Sequence, residues 1–123
     1  MAKGLAQKIL NDQELYSAGV RPEKAVCQYT VKVMLEIYPE IRHHIPASLS
    51  EFNHLHFDYV ICFGQTAFRH CSDIFSKKST EIIFYDVADP WNTKGSEEEI
   101  EIIYSNTRDQ IRELLIEFRK RIS

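Results

Sequence analysis

Two short apolar runs constrain this chain more than anything else in it: Phe57-Asp58-Tyr59-Val60-Ile61-Cys62-Phe63 and Glu81-Ile82-Ile83-Phe84-Tyr85. Both are rich in aromatic and β-branched residues, which fit a pleated and packed surface. The first is apolar nearly throughout and is closed by Gly64, the pattern of a strand covered on both faces. Between the two lies a short helix candidate at residues 66–71. A strand, a helix and a second strand in that order make a right-handed crossover, so the two strands should run parallel.

The flanking segments are helical. Leu5, Ile9 and Leu10 sit at helical spacing over residues 2–10, and Asn11-Asp12 ends the run. Leu15-Tyr16 leads into Ser17-Ala18-Gly19, which reads as a short strand ending in small residues. Pro22-Glu23 opens a second helix in its favoured first turn, with Val26, Thr30, Val33, Met34 and Ile37 as its buried stripe and Pro39 as its stop. Residues 40–56 have no clean period; Pro46 and then Ser48-Leu49-Ser50-Glu51-Phe52 read as a loop and a helical turn. In the last segment Ser96 and Glu99 form a capping box, with Glu97 and Glu98 against the positive end of the dipole. Ile100, Ile103, Thr107, Ile111, Leu114, Phe118 and Ile122 line one face of that helix, and Arg119, Lys120 and Arg121 suit its far end. The sum is an α/β fold built on a doubly wound parallel sheet. It begins on a helix, where such sheets commonly begin on a strand.

Composition narrows the function classes. A length of 123 residues predicts one domain spanning 1–123. Hydrophobic residues at 44% and charged residues at 27% exclude wholesale disorder. A net charge of −3 argues against a module that grips nucleic-acid phosphates. No run approaches the roughly 20 apolar residues of a membrane span, and Met1-Ala2-Lys3-Gly4 opens no signal peptide, so a cytoplasmic protein without membrane partners is expected. Three cysteines make no disulfide framework.

Ligands of such sheets sit beyond the carboxyl ends of the strands. Ser17-Ala18-Gly19, residues 64–71 and residues 86–91 should therefore converge on one edge. Asp89 lies there, held extended by the proline after it; it can protonate a leaving oxygen or simply make an Asp-Pro turn. Cys71 is either a redox thiol near that edge or a small buried hydrophobe. Trp91 either walls a pocket or plugs the loop onto the last helix. Cys62 reads as core and Cys27 as packing on the second helix. No Cys62–Cys71 disulfide is expected, because a strand and the far side of a short helix should keep the two apart. His54 and His56, with His43 and His44 nearby, make zinc conceivable, yet no acidic or cysteine ligand recurs at a matching interval, so neither metal nor cofactor is expected. There is no Gly-rich phosphate loop.

Several motifs carry a resemblance. They are Met1-Ala2-Lys3-Gly4-Leu5-Ala6, Tyr16-Ser17-Ala18-Gly19-Val20-Arg21-Pro22, Val31-Lys32-Val33-Met34-Leu35-Glu36-Ile37, Ile41-Arg42-His43-His44 through Ser48-Leu49-Ser50-Glu51-Phe52, and Phe57-Asp58-Tyr59-Val60-Ile61. Asp89-Pro90, Gly95-Ser96-Glu97-Glu98-Glu99 and Thr107-Arg108-Asp109-Gln110-Ile111 complete the series. In order and spacing the chain resembles the low-molecular-weight protein tyrosine phosphatase superfamily from end to end, and most closely its thioredoxin-coupled arsenate reductase branch.

That resemblance implies a three-layer α/β/α sandwich, a thiol nucleophile in a Cys-x5-Arg loop after the first strand, and Asp89 as general acid. It aligns Cys71 with the reductase's resolving cysteine, with Ser72 in place of the usual proline, and puts Gly64 where the reductase has its middle cysteine. The first strand and its loop would fall before the start of this chain, which leaves no oxyanion-binding residue to assign. The expectation is a family phosphatase or reductase chain that is not catalytic by itself. The alternative is a pseudoenzyme, or a binding or assembly module on the same fold. Expected partners are a thioredoxin-like reductant or a phosphoprotein once the loop is supplied, and a second copy of the chain. The sheet should close by pairing residues 15–17 with the 57–63 strand or through a dimer.

Overall fold

Strand β1 (Tyr59–Phe63) and strand β2 (Glu81–Tyr85) pair in parallel, in register from Tyr59 opposite Glu81 to Phe63 opposite Tyr85. The computed structural model that shows this describes residues 1–19, 27–35, 37–38, 46–76, 79–90 and 93–123. Around the pair lie helices α1 (Ala2–Ile9), α2 (Gln28–Met34), α3 (Gln65–Phe75) and α4 (Glu97–Ile122), with a 3-10 turn at Leu49–Phe52. The start expected at Pro22-Glu23 and the stop at Pro39 lie outside the described residues.

Alternation along the strands builds the layers. Val60, Cys62 and Ile82 face α3, where Cys62, Cys71 and Phe75 form one buried cluster. Ile61, Phe63, Ile83 and Tyr85 face the other way, into a larger core shared by Leu5, Val33, Met34, Tyr104, Ile111, Leu115 and Phe118. Helices α1 and α2 pack on α4 in that layer. The apolar run at β1 is thus covered on both faces, and the fold is α/β with a parallel sheet.

Four expectations need correction. Residues 15–17 form no strand. Gly19 instead bridges Ser48, donating to the Ala47 carbonyl at 2.9 Å and accepting from Leu49 at 3.1 Å. Leu15 packs into the larger core, and the Tyr16 ring stands edge-on to Phe52 and Phe57. Among the described residues the sheet therefore has two strands and does not close by the expected pairing. The crossover helix runs on to Phe75 rather than stopping at Cys71, because Cys71 and Phe75, four residues apart, share its buried face. Finally, the core face of α4 takes in two residues that the expected face lacked: Tyr104 is 4% exposed where Ile103 is 39%, and Leu115 is buried more deeply than Leu114. Thr107, Ile111 and Phe118 are buried as expected, and Ile100, Leu114 and Ile122 pack against the same core, so of the expected face only Ile103 turns outward.

The capping box at α4 forms as expected, Glu99 N–H donating to Ser96 Oγ at 3.2 Å. At the other end Arg119 pairs with Asp12 and Arg121 with Glu81, tying the helix to the α1 exit and to β2. Among the described residues no helix is long and apolar enough to cross a membrane.

Candidate functional site

Parallel register puts the carboxyl ends of β1 and β2 side by side, and the loops that follow share one edge. Gly64 caps α3 with φ 91° and ψ 162°, a conformation that glycine alone adopts without strain. Its N–H donates to the Tyr85 carbonyl at 2.9 Å, and Val87 N–H donates to the same oxygen at 3.0 Å. The side chain of Val87 is buried in the core and anchors the loop after β2. Gln110 Nε2 reaches the Asp86 carbonyl at 3.4 Å, and Thr93 N–H closes the far side on Pro90 at 3.0 Å. Asp89 is exposed on a loop held at both ends.

Beside it is a cluster that sequence reasoning missed. The Tyr104 ring stacks on Tyr29 with centroids 5.4 Å apart, and its hydroxyl lies 3.5 Å from Cys27 Sγ. Burial pushes the Tyr104 hydroxyl well above the ordinary phenol range, helped by the Cys27 contact and by the nearby charge of Asp89. Reading Ile103 onto the buried face hid Tyr104 beside it. The available signal was its position three residues before Thr107, on a helix whose apolar face already ran through Thr107. Cys27, read as packing on the second helix, is the exposed N-cap residue of α2, with its sulfur against the Tyr104 hydroxyl.

Of the three stretches expected at this edge, the structure brings together Gly64 and the Asp89 loop. Gly19 is engaged with residues 47–49 instead. Cys71 is seven residues into α3, about 9 Å along the axis from its start, and its side chain is enclosed. Cys71 and Cys62, both free, share one buried cluster with Phe75, because α3 folds back over β1 with its Cys71 face inward. The contact with Cys62 holds the Cys71 thiol below its ordinary value against the effect of burial. The contact with Cys71, and then burial, push Cys62 up. Trp91, His43 and His44 lie outside the described residues. His54 and His56 are exposed, and His56 Nε2 is 3.9 Å from Asp58. Among the described residues no group of three His, Cys, Asp or Glu side chains is placed to hold a metal ion.

The model of the low molecular weight phosphotyrosine protein phosphatase family matches residues 1–123. Among solved structures, the crystal structure of a YwlE mutant from Bacillus subtilis is similar with a TM-score of 0.70 at 21% identity, covering 98% of this chain and 87% of that one. No curated protein matches the chain.

Proposed function

The chain belongs to the low molecular weight phosphotyrosine protein phosphatase family, and on that premise we propose that it supplies the scaffold and the leaving-group acid of a phosphatase but not the nucleophile. What supports the acid reading is that Asp89 is exposed on a loop anchored by Val87 and Gln110, after the carboxyl end of β2. From there it would hand its proton to the oxygen leaving phosphorus as the phosphomonoester bond breaks.

The observation that carries the second half is the state of the thiols. A cysteine nucleophile must reach phosphorus in line with the leaving group, so its sulfur must meet the substrate. Cys62 is 1% exposed and Cys71 6%, both enclosed between β1 and α3. Cys27 is exposed, but position 33, six residues on, holds Val33 and not the arginine of a Cys-x5-Arg loop. The corresponding positions after Cys62 and Cys71 hold Phe68 and Lys77. These 123 residues by themselves therefore carry no phosphoryl-accepting thiolate with its anion clamp. The backbone at Gly64 also weighs against the arsenate reductase branch, since its φ of 91° suits no cysteine at the position of the middle thiol.

The test is direct. Purified chain incubated with an aryl phosphate, and separately with arsenate and a thioredoxin system, should show no turnover above buffer. Turnover that vanishes on Cys27→Ser or Cys71→Ser would overturn the proposal, because a substitute nucleophile would then exist.

A further inference from the structure

We propose that the outer edge of β2 and the adjoining face of α3 form a two-fold interface with a second copy of this chain. The inference stands apart from the phosphatase reading, since it concerns neither Asp89 nor a thiol.

β2 has an open side. Glu81 N–H donates to the Asp58 carbonyl at 3.0 Å, and the Tyr85 carbonyl accepts from Gly64 at 2.9 Å, so both residues turn these backbone groups toward β1. Strand alternation turns Ile83 the same way, and Ile82 and Phe84 the opposite way. Among the described residues β2 pairs with β1 alone, and the outward N–H and C=O of Ile82 and Phe84 meet no partner strand. Such an edge is a template for another strand, and β2 carries neither the lysine nor the proline that commonly blunts one.

The groove above that edge fits the same partner. Phe68 on α3 and Phe84 on β2 meet with ring centroids 5.2 Å apart, yet they are 37% and 36% exposed. Gln65, Arg69, Ser72 and Asp73 complete the lining. Arg69 and Asp73 lie one helical turn apart, and neither has an ion pair among the described residues. A face that offers one unpaired cation and one unpaired anion beside an apolar pair complements itself when turned through a two-fold axis.

The spacings agree with that symmetry. Antiparallel pairing of β2 with its copy about Ile83 sets Ile82 opposite the partner's Phe84, and their outward backbone groups bond in both directions. Phe68 is level with Phe84, and α3 runs back along the strands. Stepping from Phe84 to Ile83, about 3.3 Å, therefore moves about two residues along α3. The axis thus crosses α3 between Arg69 and Asp73, which sets Arg69 against the partner's Asp73 and Asp73 against the partner's Arg69. Helix α3 covers both strands, packing on Val60, Cys62 and Ile82. With strands about 4.8 Å apart, the two copies of α3 then come about 10 Å apart, the distance of packed helices.

The experiment follows the unmodified chain by analytical ultracentrifugation from about 1 μM to about 1 mM. The expected result is one chain at the low end and two at the high end. Exchange of the Ile82 and Phe84 amides should slow over the same range. Arg69→Asp leaves two acids on the face, and Asp73→Arg leaves two bases. Each variant alone should weaken association by about tenfold or more, because like charges then face each other across the axis. An equimolar mixture of the two should associate again, since acids meet bases at both places. Both positions are exposed, and circular dichroism checks that each variant keeps its fold. A chain that stays single throughout would overturn the proposal and leave the edge to a segment of another protein. A dimer that neither variant weakens, or that leaves the Ile82 and Phe84 amides unprotected, would place the contact elsewhere and overturn it as well.

Discussion

The Arg108 guanidinium donates a 2.8 Å hydrogen bond to the Val33 carbonyl, joining the middle of α4 to the last turn of α2. Carbonyls in a helix's last turn have no partner within the helix, and this one is satisfied by a charged donor 75 positions away. A hydrogen bond to a charged group contributes more than a neutral one, but the Arg108 side chain is about a quarter exposed, so part of the gain is returned to solvent. Arg108→Ala should lower unfolding stability by about 1–2 kcal/mol in urea titration at unchanged slope. Asp109→Asn, which removes only the exposed ion pair with Arg108, should change it by less than about 1 kcal/mol. Equal losses for the two variants would mean that the Val33 contact contributes nothing.

Gly64 gives a second test. Its added Cβ would sit 3.5 Å from the Val87 carbonyl, an ordinary contact, so the penalty for a side chain here is conformational and not steric. Gly64→Ala and Gly64→Cys should therefore destabilise to a similar degree, by about 1–3 kcal/mol. A stable Gly64→Cys variant would refute this and would reopen a three-thiol arrangement at this edge.

The parts of this fold that were legible in the sequence are those set by local chemistry. Ser96 and Glu99 cap α4 because both halves of the box lie within four residues, and β2 spans the same Glu81–Tyr85 run of β-branched and aromatic residues that the sequence marks. What was not legible depends on distant partners. Ser17 and Tyr16 have strand-like neighbours, but a strand needs a row of backbone partners, and among the described residues only Gly19 has one, at residues 47–49. At one position the α4 face could take either Ile103 or Tyr104; Tyr29, 75 positions before Tyr104, decides between them by stacking on it. The contact of Cys62 with Cys71 was hidden for a related reason. The helix candidate ended at Cys71, and the burial of Phe75 one turn further carries α3 past it. Asp89 was legible from its loop and its proline, whereas its neighbours Tyr104 and Cys27 come from other elements.

The Tyr104 hydroxyl makes alkaline stability a test of the site. Burial raises its pKa in the folded chain, while in the unfolded chain it has the ordinary value near 10. The folded state thus holds the proton more tightly. Its contribution is complete below about pH 10 and is lost as pH rises through the folded value, at up to about 1.4 kcal/mol per pH unit. Tyr104→Phe should flatten the fall in unfolding free energy above about pH 10, whatever it does to stability at neutral pH. An unchanged slope would show that the hydroxyl is already solvated.

Asp89 adds to the rise in Tyr104 through its charge, and this gives a readout in the chain as it stands. Asp89→Asn removes that charge with little change of shape, so Tyr104 should titrate at lower pH, seen as an earlier step in the ultraviolet titration of tyrosinate. The same variant tests the acid role once a strand and a Cys-x5-Arg loop are joined ahead of Met1. There, Asp89→Asn should slow turnover by about 10²–10⁴-fold for esters with poor leaving groups, whose departing oxygen needs the proton. For an activated ester such as a nitrophenyl phosphate, where the leaving oxygen is stable without it, the loss should be much smaller. A merely structural carboxylate would slow both esters alike. An equal loss across leaving groups would therefore remove Asp89 from the chemistry, even if the Tyr104 titration moved as expected.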